Sequence, residues 1–222
     1  MTNVLILGAT GRTGVSVLQQ LSTYEYIQVI AAVRQDSDIS RLPKTKSPIQ
    51  TKPVDINNIS SLHCAVEKAD IVVNAIRMRG DIPETTLLEF DKRIRKAADG
   101  RKNLVIITVG GAGSLKMSNG KRFWQDVAFP ERTLPRGRAH SRLRDYLETL
   151  PSPKSWAYLI PPPAYIPNGL RVGSYQRWDA SNDEMSFLKK SISYEDFATA
   201  VCDAVRERWE GVHFIAGENL PT

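Results

Sequence analysis

Gly8, Gly11 and Gly14 stand three residues apart near the start of the chain, between the apolar residues 4–7 and the helix-compatible residues 15–21. Gly8 permits a sharp turn at the end of a strand, Gly11 permits close approach of the backbone to a phosphate, and Gly14 permits close packing of the next helix on the sheet. The unpaired N–H groups and the positive dipole end of that helix then attract an anion. This order of strand, glycine turn and helix predicts a binding site for the pyrophosphate of a dinucleotide. The residues predicted to form the site are Gly8, Thr10, Gly11, Arg12, Thr13 and Gly14.

Arg34 directly follows a second apolar, β-branched segment at residues 26–33, and no carboxylate occurs between it and Asp36. In a dinucleotide site this position lies beside the adenosine ribose, where an acidic residue binds the 2′-hydroxyl of NAD and a cation suits the 2′-phosphate of NADP. Arg12 is a candidate for the same phosphate, because a guanidinium can bind two phosphate oxygens at once. The sequence therefore predicts NADP as the cofactor and keeps NAD as the alternative. Two solvated arginines on exposed loops are the competing interpretation.

The remaining candidates for cofactor binding follow from the positions of the other strands. In an open parallel sheet, ligands bind at the carboxyl ends of the strands. The candidates at the ends of the third to sixth predicted strands are Asp55, Ile56, Ala75, Ile76, Gly110, Gly111 and Pro162. Asp55 has two interpretations, because its carboxylate can accept a hydrogen bond from the adenine amino group or cap the helix that follows.

Segments typical of strands alternate with segments typical of helices along the chain. The predicted strands cover residues 4–7, 26–33, 49–54, 70–76, 103–109, 155–160 and 212–215. The predicted helices cover residues 15–21, 60–68, 84–98, 142–150 and 194–209. Such alternation implies right-handed crossovers and a parallel sheet covered on both faces. We therefore predict an α/β fold with a doubly wound parallel sheet, in a single domain over residues 1–222. A small C-terminal extension of short strands or loops at residues 169–187 is expected to close the substrate side.

Four stretches of the chain resemble a known protein family. Residues 8–14 read Gly-Ala-Thr-Gly-Arg-Thr-Gly, residues 72–76 read Val-Val-Asn-Ala-Ile, residues 108–115 read Thr-Val-Gly-Gly-Ala-Gly-Ser-Leu, and residues 192–198 read Ile-Ser-Tyr-Glu-Asp-Phe-Ala. Together they resemble atypical members of the short-chain dehydrogenase/reductase superfamily. The resemblance is to the NAD(P)H-binding group that contains NmrA-like regulators, NADH–flavin reductases and the B-type biliverdin/flavin reductase.

This resemblance implies a Rossmann-like fold and a position for the nicotinamide. The ring would lie across the ends of the fourth and fifth strands, near Ala75, Ile76 and Gly110, and the loop with Pro162 and Pro163 would lie behind it. Superfamily members that oxidise alcohols or reduce ketones use a Tyr-x-x-x-Lys pair, in which the lysine lowers the pKa of the tyrosine. The residues four positions after the seven tyrosines are Gln28, Ile30, Leu150, Pro162, Gly169, Asp179 and Ala198. Since none of these is a lysine, we do not expect a sugar-nucleotide epimerase or an ordinary alcohol dehydrogenase.

Two functions from different classes remain open. The first is an NAD(P)H-dependent reductase that transfers hydride to a flavin, a quinone or a similar planar acceptor, a reaction that requires mostly positioning. Ser114 and His140 are its candidate catalytic residues, because a serine hydroxyl can donate to a carbonyl oxygen and an imidazole titrates near neutral pH. The alternatives are a turn residue for Ser114 and a solvated or helix-capping imidazole for His140. The second function is a non-catalytic NAD(P) sensor of the NmrA-like type that acts through a protein partner.

The excess positive charge of the chain is concentrated in one segment. The formal net charge is +6, and residues 116–144 contain eight basic and two acidic side chains, so the rest of the chain is neutral on balance. Phe123, Trp124 and Phe129 lie among these cations, and aromatic rings beside cations suit a planar anionic partner. A solvated loop and a nucleic-acid or protein contact are the alternatives. Nucleic acid is not expected, because no helix-turn-helix, zinc or RNA-binding motif accompanies the segment.

Composition sets the remaining expectations. No apolar stretch approaches the ~20 residues that cross a bilayer, and the N terminus lacks the features of a signal peptide. We therefore expect no membrane association and a cytoplasmic location. Cys64 and Cys202 do not have the spacing of metal ligands, so no metal site is expected.

Overall fold

The structure is a computed structural model that describes residues 1–101, 103–151, 155–179 and 184–218. Among these residues, eight strands form one sheet and two form a small second sheet. The strands are β1 (Thr2–Leu7), β2 (Ile27–Val33), β3 (Gln50–Pro53), β4 (Ile71–Asn74), β5 (Val105–Val109), β6 (Trp156–Ile160), β7 (Ala164–Ile166), β8 (Gln176–Asp179), β9 (Ser191–Ser193) and β10 (Gly211–Ala216). The helices are α1 (Arg12–Leu21), α2 (Ile59–Val66), α3 (Thr86–Ala97), α4 (Leu134–Glu148) and α5 (Tyr194–Glu207). No helix in these parts of the chain has the length and apolar character needed to cross a membrane.

The strand order in the large sheet is β3-β2-β1-β4-β5-β6-β10-β8. Neighbouring strands are parallel except for β8, which pairs antiparallel with β10 at one edge. The order reverses at β1, which pairs with β2 on one side and with β4 on the other. The carboxyl ends of β1 and β4 therefore form the switch point at which such sheets bind ligands. The predicted doubly wound parallel sheet is confirmed.

The alternation of side chains in β1 shows how both faces of the sheet are covered. Val4 and Ile6 pack in one core with α1 and α5, whereas Leu5 and Leu7 pack in a second core with α2 and α3. All four side chains are buried. A third core lies between α4, β6 and β10. Helices thus hold the sheet from both sides and fix the loops at its carboxyl edge.

The C-terminal part of the chain adds a small extension to this sheet. Strands β7 and β9 form a parallel pair, and β8 extends the edge of the large sheet. The predicted short strands or loops at residues 169–187 include β8 and the start of a 3₁₀ turn at Ser186–Lys189. Residues 180–183 of that prediction lie outside the described residues.

Helix α4 begins at Leu134, well before the start at residue 142 that the sequence predicts. Its first turns contain Pro135 and Gly137, which have low helix propensity in a helix interior. Proline is tolerated in the first turn. Gly137 lets α4 lie against the loop after β5, where a Cβ on Gly113 would be 2.5 Å from the Cα of Gly137. Close packing against this loop, rather than local propensity, therefore accounts for the early start of the helix.

Candidate dinucleotide and acceptor site

The glycine turn between β1 and α1 leaves no room for a side chain at Gly8 or at Gly14. Gly8 has a φ of +81°, and a Cβ there would lie 2.8 Å from the carbonyl carbon of Ala75 at the end of β4. A Cβ on Gly14 would lie 2.1 Å from the Gly8 carbonyl oxygen. The Gly11 N–H donates to the same oxygen at 2.9 Å, which closes the turn. Backbone conformation requires glycine at Gly8, and close packing requires it at Gly14.

Helix α1 begins with an N terminus suited to an anion. Its N-cap residue is Gly11, no side chain caps it, and its first turn contains no acidic residue. The N–H groups and the dipole at such a helix end attract negative charge. Thr10 is half-buried and Arg12 is exposed at the surface of the turn, whereas Thr13 is buried. The local structure therefore has the features that the sequence predicts for a pyrophosphate site.

A stacked tyrosine pair lies beside this turn. The rings of Tyr165 and Tyr194 are parallel to within 8°, with centroids 3.8 Å apart. The Tyr165 hydroxyl is 2.8 Å from the Thr13 hydroxyl, and burial raises the pKa of Tyr165 well above its ordinary value, so that it stays protonated. The sequence contains no signal for this contact, because Thr13 and Tyr165 are 152 positions apart.

Arg34 follows β2, and its side chain is 80% exposed. Its Nε lies 3.5 Å from Oδ2 of Asp38, and Nη1 of Arg41 lies 3.0 Å from Oδ1 of the same carboxylate. The hydrogen bond from Arg41 holds the pKa of Asp38 below its ordinary value. Arg41 is therefore a second guanidinium at the ribose end of the predicted site, and it was not among the residues predicted from sequence. Both arginines are held by one buried acid.

The helix-capping alternative for Asp55 is wrong. Helix α2 is capped by Asn58, whose side-chain oxygen accepts two N–H groups of the first helical turn. Oδ1 of Asp55 instead accepts the N–H of Asn57 at 2.9 Å, which forms a local turn. The Asp55 side chain is exposed, and the neighbouring Ile56 packs against the core beneath α2 and α3. A contact between Asp55 and the adenine amino group stays a prediction.

The candidates at the other strand ends lie along one edge of the sheet. Ala75 and Ile76 follow β4, and the Ala75 N–H donates to the carbonyl of the last residue of β1 at 2.9 Å. Gly110 and Gly111 follow β5, and Pro162, which is buried, lies just after β6. Because β1, β4, β5 and β6 are consecutive in the sheet, these residues form a row that begins at the glycine turn. Their contact with a cofactor stays a prediction.

His140 lies on α4 against the end of β5. A Cβ on Gly111 would be 2.5 Å from Cδ2 of His140, and Nδ1 of His140 is 2.9 Å from the Tyr158 hydroxyl. Burial, with a smaller contribution from the positive charge of Arg136, lowers the pKa of His140 to about 4. The expectation that this imidazole titrates near neutral pH is therefore wrong. At neutral pH the ring is an uncharged hydrogen-bonding group.

Ser114 forms a turn rather than part of an accessible surface. Its side chain is fully buried, and its hydroxyl donates to the Gly111 carbonyl at 2.8 Å. Its own carbonyl accepts hydrogen bonds from Arg122 and Arg144, each at 2.8 Å. A hydroxyl without exposed surface cannot donate a hydrogen bond directly to a substrate bound at the carboxyl edge of the sheet. The structure thus favours the turn-forming alternative for Ser114 over a catalytic role.

The basic segment at residues 116–144 is only in part a solvated loop, with exposed residues at 118–121 and 130–132. It forms short turns and most of α4. Arg144 has no exposed surface, and its guanidinium binds the carboxylate of Glu184 through two contacts of 2.8 Å. Lys116 and Arg122 each pair with an acidic side chain of α4. Part of the positive charge of the segment is therefore neutralised within the protein.

Comparison with known families identifies the chain. A family model described as NAD(P)H-binding matches residues 8–208, from the glycine turn to the end of α5. The protein belongs to the NAD(P)H-binding family. This membership confirms the resemblance carried by the four sequence stretches, and it identifies a nicotinamide dinucleotide as the cofactor class.

Other proteins similar to this member of the NAD(P)H-binding family come from several bacteria. The uncharacterized protein YwnB of Bacillus subtilis is 28% identical over 209 residues, which cover 89% of each chain. SP1627 of Streptococcus pneumoniae, which carries the provisional name NADH-flavin reductase, has a TM-score of 0.78 at 20% identity, over 98% of this chain and 100% of that one. The oxidoreductase ylbE of Lactococcus lactis has a TM-score of 0.77 at 18% identity, over 98% and 92% of the two chains. The two solved structures show that the fold is shared.

Proposed function

We propose that this protein is an NADPH-dependent reductase that transfers hydride to a flavin, a quinone or a similar planar acceptor. The observation that carries the proposal is the contact between the glycine turn and the end of β4, where Gly8 has no room for a side chain against Ala75. This contact brings the glycine turn that precedes α1 beside the carboxyl end of β4, and β5 is the next strand in the sheet. The predicted pyrophosphate site and the predicted nicotinamide site thus lie on one continuous edge of the sheet.

The residues along this edge fit a nicotinamide dinucleotide. Gly11 and Gly14 leave only backbone at the N terminus of α1, and no acid in its first turn would repel a pyrophosphate. The turn would hold the pyrophosphate, and Ala75, Ile76 and Gly110 would line the nicotinamide. When bound, the reduced nicotinamide supplies the hydride, and the protein supplies position and electrostatics.

The charges after β2 support NADP rather than NAD. An acid that binds the ribose 2′-hydroxyl of NAD must offer a free carboxylate oxygen. Asp38 is buried, and both of its oxygens face guanidinium groups, those of Arg34 and Arg41. These three side chains together carry a positive charge, and the exposed Arg34 is available for a phosphate.

The residues near the end of β5, where the acceptor would bind, favour an acceptor whose reduction needs little acid–base catalysis. His140 is neutral at pH 7, with its ring held between the Tyr158 hydroxyl and the backbone of Gly111. Ser114 is buried. His140 can orient and shield a planar ring, whereas the buried Ser114 does not reach it, and water can supply the proton that accompanies the reduction of a flavin or a quinone. The names of SP1627 and ylbE also support a redox function.

The test is oxidation of NADPH by the purified protein with a panel of flavins and quinones, followed by the nicotinamide absorbance. We expect turnover with at least one acceptor and a lower rate with NADH. Gly14→Ala tests whether turnover depends on the glycine turn, because the added Cβ would meet the Gly8 carbonyl oxygen. It should lose cofactor binding and turnover together, while circular dichroism checks that it folds. Tight NADP binding without turnover of any acceptor would contradict the reductase and favour a non-catalytic sensor that acts through a protein partner.

A further inference from the structure

Four arginines converge beside the acceptor end of the site. Arg77 and Arg79 follow β4, Arg132 lies in the 3₁₀ turn before α4, and Arg136 lies in the first turns of α4. Three of them, Arg79, Arg132 and Arg136, line an open surface pocket of about 320 Å³ together with Gly80, Asp81, Glu131 and Pro135. We call this surface pocket the arginine pocket.

The guanidinium groups of this pocket are not neutralised in the way that neighbouring cations are. Arg122 and Arg144 each have a carboxylate partner. Among the described residues, no carboxylate lies within ion-pair distance of Arg79, Arg132 or Arg136, nor of Arg77 beside them. The pocket therefore has positive charge that is free to meet a ligand.

Arg136 is the most constrained of the four side chains. It is half-buried, and its pKa is lowered by burial and by the positive charges of Arg77, Arg132 and Arg79. Four like charges held this close repel one another, and the repulsion is relieved when an anion lies between them. Asp81 and Glu131 also line the pocket and leave it a net charge of +1, and Arg77 beside it raises the local charge to +2.

The arginine pocket lies close to the residues proposed to position the acceptor. Arg136 and His140 are one helical turn apart on α4, and the charge of Arg136 contributes to the low pKa of His140. Arg77 acts electrostatically on Tyr165, whose hydroxyl contacts Thr13 in the glycine turn. A ligand that fills the pocket therefore lies beside the residues proposed to position the acceptor.

We infer that the arginine pocket binds the phosphate of an acceptor in which a planar ring carries a phosphate monoester. This inference rests on the proposed function and narrows its acceptor class, because it favours a phosphorylated flavin over an uncharged flavin or quinone. A phosphate monoester carries a charge of about −1.5 to −2 at neutral pH, which is close in size to the combined positive charge of the pocket and Arg77. Guanidinium groups also bind phosphate oxygens through paired hydrogen bonds.

Flavin mononucleotide and riboflavin differ only in the phosphate and are therefore a matched pair of probes. Their affinities can be measured by quenching of flavin fluorescence with the protein saturated with oxidised NADP, so that no turnover occurs. We expect flavin mononucleotide to bind about tenfold more tightly or better, since riboflavin lacks the phosphate that the guanidinium groups would bind through charge-assisted hydrogen bonds. The double variant Arg132→Gln/Arg136→Gln should reduce the preference to less than about threefold and leave the affinity for riboflavin unchanged.

Arg142→Gln is the control for the loss of charge. Arg142 is exposed on the same helix and does not line the pocket, so the variant should keep the preference for flavin mononucleotide.

Equal affinities of the wild type for the two flavins, or a preference that survives the double variant, would overturn the inference. Equal turnover of the two flavins would leave the proposed reductase intact. Phosphate-dependent binding without any turnover would instead support the pocket and reject the reductase.

Discussion

At the residue scale, the proposed preference for NADP rests on the two guanidinium groups that share Asp38. Arg34 and Arg41 face its two carboxylate oxygens at 3.5 Å and 3.0 Å. A hydrogen bond between charged groups contributes roughly 1.5–3 kcal/mol. We therefore expect Arg34→Gln and Arg41→Gln each to weaken NADPH binding about tenfold or more and to change NADH binding less than about threefold. Isothermal titration calorimetry with both cofactors measures the difference.

Lys46→Gln is the matched control for these two variants. Lys46 is exposed in the same connection between β2 and β3, and its replacement removes the same charge without touching Asp38. It should leave both affinities near those of the wild type. If Arg34→Gln weakens NADH as much as NADPH, the arginine does not contact the 2′-phosphate.

At the scale of elements, α4 is tied to the loop after β5 by a buried ion pair. The guanidinium of Arg144 contacts the carboxylate of Glu184 and also donates to the Ser114 carbonyl at 2.8 Å. Glu184 accepts the backbone N–H of Lys116 as well, at 2.5 Å. Arg144 and Glu184 are both buried. The pair therefore holds the turn at Ser114 against the helix that carries His140.

We expect Arg144→Met to destabilise the protein strongly, because it leaves the buried carboxylate of Glu184 without its cation. Removal of one member of a buried ion pair costs about 3–5 kcal/mol in free energy of unfolding. The double variant Arg144→Met/Glu184→Leu should recover much of this loss, since no buried charge is then unpaired. Urea denaturation followed by circular dichroism measures the wild type, the single variants Arg144→Met and Glu184→Leu, and the double variant.

An exposed ion pair nearby provides the comparison for this prediction. Lys116 pairs with Glu148 at 3.1 Å, and the Lys116 side chain is 50% exposed. Exposed pairs contribute about 0–1 kcal/mol, so Lys116→Met should have a small effect. A double variant as unstable as Arg144→Met and Glu184→Leu combined would show that the two residues act independently.

At the scale of the whole molecule, the sheet could be predicted because its strands are buried on both faces. Such strands are continuous apolar runs, and the prediction for residues 26–33 differs from β2 by one residue. The glycine turn could be predicted because only glycine readily fits its two ends. Gly8 has a positive φ that other residues rarely adopt, and Gly14 has no space for a Cβ. Both signals are local, so a single sequence contains them.

The features that the sequence did not predict depend on contacts between distant segments. The start of α4 depends on the approach of Gly137 to Gly113, and the tyrosine stack beside Thr13 joins β7 to α5. The arginine pocket combines residues that follow β4 with residues at the start of α4. The low pKa of His140 has the same origin, because burial against Gly111 is not visible in the residues adjacent to it.

The pH dependence of stability follows from this burial. His140 has an ordinary pKa near 6.5 in the unfolded chain and a pKa of about 4 in the folded protein. Between these values the unfolded chain binds a proton at this residue and the folded protein does not. The free energy of unfolding therefore falls as the pH falls through this window. Asp38, whose pKa is lowered by the hydrogen bond from Arg41, contributes stability above the ordinary carboxylate pKa and loses this contribution as the pH falls below that value and through its own lowered pKa.

His140→Asn should reduce this pH dependence. The asparagine amide can hydrogen-bond the Tyr158 hydroxyl near the position of Nδ1, but it cannot bind the proton. Between about pH 7 and about pH 5, the wild type should lose on the order of 1–2 kcal/mol more free energy of unfolding than the variant. Urea denaturation of both proteins at several pH values measures the difference, and contributions from the carboxylates cancel in the comparison. Parallel curves for the two proteins would mean that His140 binds its proton equally well in the folded and unfolded states, and the imidazole would then be available to titrate beside the acceptor.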